Sequence, residues 1–335
     1  MKVLFIRPQV QFYESASDYQ IDMLFHGLRT LLGVNCIDVD KMWHMYDNID
    51  MSKKSYIWGK GFTLYGLLPD IDIDRNNIIE RAKGGEFDIC IYGIHHTLVQ
   101  QPELVTSHIQ ALSEIFPKNR LFVIDGHDRP WYNEEVAAKS TYFKREMYEN
   151  TRDILPIHFA IPAEKIGKIQ DPKIHHFAPL VPVNHSWNSE HIKTYIYNDE
   201  ESYRKDYAQS WFAYTCKKGG WDCLRHYEIL ANGCIPWFTD IEKCPPNTLF
   251  RFPKDLCIKA KKIKGCIPGT TEPYNPNEET YLGTTEKIKL GKDRGSIAEN
   301  FDFGLYYDIL EEMRYILRRD LTTEALSQYV LEQVC

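Results

Sequence analysis

The fold class this sequence predicts is α/β, with two Rossmann-like domains facing a cleft. Three observations carry that expectation. Short, continuously apolar runs alternate with segments of helical apolar spacing, as in a parallel sheet covered on both faces. The 335 residues suit two domains at roughly 100–200 residues each. A second series of strands and helices begins near residue 154. The expected division is an amino-terminal domain over 1–153, a second domain over 154–300, and helices over 301–335 that pack across both.

The elements follow in order. Residues 2–6 are a buried β-rich run that ends at Arg7-Pro8. Ile21, Leu24, Phe25, Leu28, Leu31 and Leu32 share a helical face over 19–32, and Gly33 stops it. Residues 35–39 return to strand, 78–82 form a short helix, and 87–92 are continuously apolar. An amphipathic helix over 103–116 leads to a buried strand at 121–124. Residues 53–68 break this rhythm, being aromatic and glycine-rich, and fit a long loop, a hairpin or a flap on the core. In the second domain the expected strands are 156–161, 176–181, 211–215 and 234–238, with helices at 201–209 and 223–232. Residues 259–297 read as an exposed excursion, and 306–318 and 323–333 as closing amphipathic helices.

Apolar residues make up 43% of the chain, enough for two ordinary cores. The net charge of −7 argues against a broad nucleic-acid footprint, which shows as a basic excess. The run 251–264, with six basic residues against Asp255, is the local exception, and a solvated surface explains it equally. Nine cysteines without a C-x-x-C pair read as reduced, mostly buried thiols. The first residues read as a strand and not a signal peptide, and no stretch approaches a membrane span, so a cytoplasmic protein is expected.

Residues 211–240 carry the chemistry. A buried strand runs into Lys217-Lys218-Gly219-Gly220, and a helix follows with Asp222 placed to cap it. Leu224, Tyr227 and Ala231 form its buried stripe, while Arg225, Glu228 and Asn232 share another face. Paired glycines allow close backbone approach, and a helix start offers N–H groups and partial positive charge to a phosphate. Arg225 can make bidentate contacts to a diphosphate, Glu228 can accept both hydroxyls of a ribose, and Lys217 and Lys218 can neutralise a departing nucleotide. An Asp222 cap would oppose a phosphate there. The plainer alternative is an Arg225–Glu228 ion pair on a solvent face, of a few tenths of a kcal/mol.

The run Leu224-Arg225-x-x-Glu228-x-x-Ala231-x-Gly233-Cys234-Ile235-Pro236 resembles the carboxy-domain signature of GT-B glycosyltransferases of the family-4-like kind. Its L-R-x-x-E helix is similar to that of phage DNA β-glucosyltransferases, and its G-C-I-P turn to exostosin-like transferases. The resemblance implies a two-domain transferase without metal or other cofactor. A nucleotide-diphosphate sugar would be the donor, and a glycan or other hydroxyl compound the acceptor. Glu228 would then hold the ribose and Arg225 the diphosphate. Where the retaining pattern carries a further glutamate, this chain has Gly219, Gly220 and Trp221. A non-catalytic nucleotide- or sugar-binding protein and a DNA-base glycosyltransferase are the alternatives.

In inverting enzymes of this kind a base comes from the amino-terminal loops. Glu14 and Asp18 follow the first strand, His95 and His96 the apolar run 87–92, and Asp125 the strand 121–124. Asp18 and Asp125 are the first-ranked catalytic candidates. Their plainer roles are a helix cap for Asp18 and an Asx turn for Asp125, with His95 and His96 as turn residues. Asp70-x-Asp72-x-Asp74 has the look of a metal-binding D-x-D, but the alternation with Ile71 and Ile73 suits an edge or turn equally, and no metal ligand is assigned.

Overall fold

Six strands build the first sheet: β1 (Val3–Ile6), β2 (Cys36–Asp38), β3 (Ile89–Ile94), β4 (Leu121–Asp125), β5 (Thr141–Lys144) and β6 (Ile154–Pro156). They lie in the order β2-β1-β3-β4-β5-β6, every pair parallel. The continuously apolar runs are the central strands, whose residues are buried on both faces. Helices α1 (Tyr19–Leu32), α2 (Ile78–Lys83), α3 (Pro102–Ser113) and α4 (Glu134–Lys139) supply the crossovers. From β1 the chain steps to β2 and then returns to place β3 on the other side of β1. That reversal is a topological switch point, and in open α/β sheets ligands settle outside the carboxyl ends of the strands that flank it.

The computed structural model describes residues 1–8, 17–178, 197–269, 271–272, 289–290 and 295–334. The chain divides into two units, Met1–Ala163 with Pro245–Phe250 and Asp320–Cys335, and Glu164–Cys244 with Arg251–Arg319. The second unit holds a parallel sheet in the order β7 (His175–Phe177), β8 (Ser210–Thr215), β9 (Ile235–Phe238). Its helices are α5 (Glu200–Ala208), α6 (Leu224–Ala231), α7 (Lys254–Ala260) and α8 (Phe303–Asp320). Two ribbons, Cys266–Pro268 with Gly295–Ile297 and Thr271–Glu272 with Lys289–Leu290, complete its described part. Among the described residues no helix is long and apolar enough to cross a membrane. The cysteines described there are unpaired thiols.

Three expectations are corrected. The strand near residue 156 is β6, and it pairs with β5 in the first sheet, so the first unit runs past residue 153 to Ala163. Beyond β6, Ile161 makes only an isolated bridge to Thr322. The closing helices do not form one block, since α8 lies in the second unit through Arg319 while α9 (Thr323–Leu331) belongs to the first. There α9 packs on α1 at Gly27, where a Cβ would stand 1.9 Å from Thr323 O. His26 Nδ1 to Thr323 Oγ1 at 2.9 Å and Ser327 Oγ to Leu24 O at 3.1 Å fix that contact. The hairpin reading of residues 53–68 is not what forms: 3-10 turns Met51–Tyr56 and Trp58–Gly61 occupy the first part, with positive φ at Gly59 and Lys60. Residues 179–181 of the expected strand 176–181, Glu14, and 270, 273–288 and 291–294 of the expected excursion lie outside the described residues.

Candidate functional site

The helix expected over 223–232 is α6, and Gly233 ends it at φ 73°. Every one of its residues is buried, so there is no solvent face for an ion pair to decorate. Arg225 is 8% exposed and Glu228 7%. The two do not pair. Glu228 Oε2 accepts the Tyr203 hydroxyl at 2.5 Å, which orients the carboxylate from α5. Among the described residues, Arg225 Nη1 is buried with no hydrogen-bond partner. Burial pulls the Arg225 guanidinium down, but Cys223, Tyr207 and Tyr203 raise it further, and the net direction is up. Lys218 is pushed down by burial and by the neighbouring Arg225, as expected where cations converge. Lys217 Nζ lies 5.8 Å over the Trp221 ring.

The cap expected from Asp222 is not formed. Cys223 is the N-cap residue and makes no side-chain cap bond, while Asp222 Oδ1 accepts the Tyr227 hydroxyl at 3.0 Å. No aspartate cap therefore occupies a helix N–H, although the Asp222 carboxylate remains buried next to the helix start. His226 fixes the approach to the helix: Nδ1 meets Thr215 Oγ1 and Nε2 meets Trp221 O, each at 2.8 Å. A carbonyl only accepts, so Nε2 carries the proton and Nδ1 takes the threonine hydroxyl's. One imidazole thus ties the end of β8, the Lys217–Asp222 loop and α6 together. Gly219 and Gly220 do not adopt positive φ, so left-handed backbone is not their purpose.

In the first unit the switch point gathers three of the named loops. Asp18 caps α1, with Oδ1 3.5 Å from Ile21 N, and its Oδ2 accepts from His96 N at 3.0 Å. His96 Nδ1 stands 3.6 Å from the same Oδ2. The His95 and His96 rings lie 4.1 Å apart, immediately beyond the end of β3. Gly126, after β4, leaves room for α1, since a Cβ there would stand 2.5 Å from Gln20 Cβ and 3.8 Å from Asp18 Oδ1. Trp58 packs on His96 at 4.5 Å and donates its backbone N–H to Ser17 Oγ. Burial lowers His95 to about 4, so the ring is neutral at physiological pH. Burial raises Asp18, but His96 and His95 more than offset it, and the carboxyl lies below its usual value.

Asp125 stands in a different state. Its Oδ2 accepts the Tyr142 hydroxyl at 2.7 Å, and Oδ1 accepts Lys144 Nζ and His127 N, each at 3.0 Å. Lys144 is 1% exposed in its side chain, so Asp125 is the counter-charge of a buried ammonium as well as an Asx-turn residue.

No family model, curated protein or solved structure matches this chain.

Other candidates resolve into ordinary surface chemistry. Asp70 pairs with Lys41 at 2.7 Å, and Asp74 binds the backbone of Asn76 and lies 3.5 Å from Arg81. In the basic run, Lys254 to Ala260 form α7, and Lys261 Nζ pairs with Glu242 at 2.8 Å. Two contributors were missed from sequence. Tyr203 reaches Glu228 from a separate helix, and nothing in its own spacing marks it. Trp58 sits in the aromatic loop 53–68, whose unusual composition was the available signal.

Proposed function

We propose that the chain is a GT-B glycosyltransferase that moves a sugar from a nucleotide-diphosphate donor to a hydroxyl acceptor, most simply on a glycan. One observation carries the proposal: a buried guanidinium, Arg225 Nη1 without a partner, beside Lys218 at a helix start that has no side-chain cap. A buried, unmatched cation is costly to a fold, and a diphosphate is the counter-charge that suits it. Glu228, one turn along α6 and aligned by Tyr203, is the acceptor for ribose hydroxyls. Lys217 and Lys218 offset charge on the leaving nucleotide. Of the two catalytic candidates, Asp18 is retained as the proton acceptor, because Asp125 is the counter-charge of the buried Lys144 ammonium, whereas Asp18 is held by backbone N–H groups and lies beside His96.

The test is a transfer assay with UDP-, GDP- and ADP-sugars against mixed glycan acceptors, with donor hydrolysis followed in parallel. Wild-type turnover on one donor, lost in Glu228→Gln and Arg225→Met while both variants stay folded, is the expected result. Tight donor binding without turnover on any acceptor supports a non-catalytic binding protein instead.

A further inference from the structure

We propose that Asp18, His95 and His96 form a binding site for one divalent transition-metal ion, zinc-like in its ligand preference, at the β1/β3 switch point of the first unit. The three side chains each offer a ligand atom, and those atoms lie within 4.8 Å of one another. Two imidazoles and one carboxylate are the donor set of open zinc and iron(II) sites, which leave further positions to water or substrate.

Proximity alone does not make a site, and the decisive observation concerns hydrogen bonds. Among the described residues, His95 Nε2 and His96 Nδ1 are buried and make no hydrogen bond, His96 Nδ1 having only the Asp18 carboxylate beyond hydrogen-bond distance at 3.6 Å. The His95 residue is 4% exposed, so its unmatched nitrogen has no recourse to bulk water. A buried ring nitrogen left unsatisfied is costly to the fold, and two of them beside one carboxylate call for a shared partner. A cation fits because the three ligand atoms lie close enough for their lone pairs to share one ion. The other nitrogen of His95, Nδ1, lies 2.7 Å from Thr97 Oγ1. Nδ1 also accepts the Thr97 backbone N–H at 3.4 Å, so ligation through Nε2 requires the ring to take the Nδ1–H tautomer with Thr97 Oγ1 as acceptor, the usual outer support of a ligating histidine.

The distances are near those required. Tetrahedral zinc holds its donors at about 2.0–2.1 Å, which places them roughly 3.3 Å from one another. Asp18 Oδ2 and His96 Nδ1 are already 3.6 Å apart. The widest separation closes by side-chain rotation of about 1.5 Å. Asp18 Oδ2 accepts from His96 N and keeps a second lone pair for an ion. The charges acting on His95 from outside the trio are the Asp22 carboxylate and the Arg7 guanidinium, of opposite sign. Trp58 packs against His96 and shields that side of the cluster.

The experiment uses the full chain, stripped with a chelator, desalted and titrated with Co²⁺. One equivalent is expected to bind with a visible ligand-field spectrum, without the intense near-ultraviolet band of cobalt–thiolate ligation, and Zn²⁺ should bleach it. Thiolate bands would show that cysteines took the metal and would overturn the proposal, as would no binding at all. Asp18→Asn, which keeps the helix cap, and His95→Gln are each expected to weaken binding at least tenfold. Unchanged affinity in both also overturns it. Should a variant fail to fold, X-ray absorption of zinc-loaded wild type decides: nitrogen and oxygen ligands support the site, sulfur ligands refute it. The outcome is separable from the transferase proposal, which stands on donor binding at α6. Transfer assays belong in both metal-free and metal-loaded protein, since ligation would take Asp18 out of proton transfer.

Discussion

The two parallel-sheet regions leave polar groups unmatched in different ways. Around α6 the unmatched group is a cation, Arg225, in a site built almost wholly from one continuous stretch of chain. At the switch point the groups without a hydrogen bond are ring nitrogens of two imidazoles beside a carboxylate, brought together from the loops after β1 and β3. The first arrangement asks for an anion and the second for a cation. The contrast with Asp125 lies in the neighbouring charge: both acids have each oxygen hydrogen-bonded, but Asp125 faces the Lys144 ammonium and Asp18 two imidazoles. Burial by itself does not mark a site; in these two places it coincides with a missing hydrogen bond and with converging groups of one chemistry.

The largest expected effect tests the matched carboxylate. Asp125→Ala strands the Lys144 ammonium, 1% exposed, and should cost about 3–5 kcal/mol in denaturant melts. Asp18→Asn should cost under about 1 kcal/mol, since asparagine caps a helix as well as aspartate. Equal losses would erase the distinction between the two acids.

The next effect is one of pH. Burial depresses His95 from 6.5 to about 4 in the folded chain. Between those values the unfolded chain binds the extra proton. His95's contribution is therefore fully present above pH 6.5 and is lost as pH falls toward 4. Its size is on the order of 3 kcal/mol. In chelator, His95→Gln should flatten the stability profile across that window; a parallel profile would contradict the burial argument.

At α6 the effects are on binding. Arg225→Met should lower donor affinity by about 2 kcal/mol, roughly thirtyfold. Its stability should hold or rise, because an unmatched buried charge is removed. Tyr203→Phe, which frees Glu228 Oε2 from its hydroxyl, should weaken donor binding by only about 0.5–1.5 kcal/mol, read by calorimetry.

What the sequence disclosed follows the same division. The α6 segment was legible because strand, glycine pair, helix and Gly233 are contiguous, and their spacing is the spacing of the structure. Its one local error, the Asp222 cap, arose because two adjacent residues can each begin a helix and Tyr227 competes for that carboxylate. At the switch point each loop was recognisable, but their meeting depends on β1 pairing with β3, with Phe5 opposite Ile91 and Ile6 opposite Tyr92. No local pattern states that register. The misplaced boundary has a similar cause. A three-residue strand such as Ile154–Pro156 has too few positions for periodicity to assign it to a sheet.

The most direct test of the central claim is calorimetric titration of the wild-type chain with free UDP, GDP and ADP and their sugars, repeated on Arg225→Met. One nucleotide series is expected to bind at a single site, with affinity falling about thirtyfold in the variant. No binding by any nucleotide, or equal affinity in both proteins, would contradict the assignment of α6 as a diphosphate site.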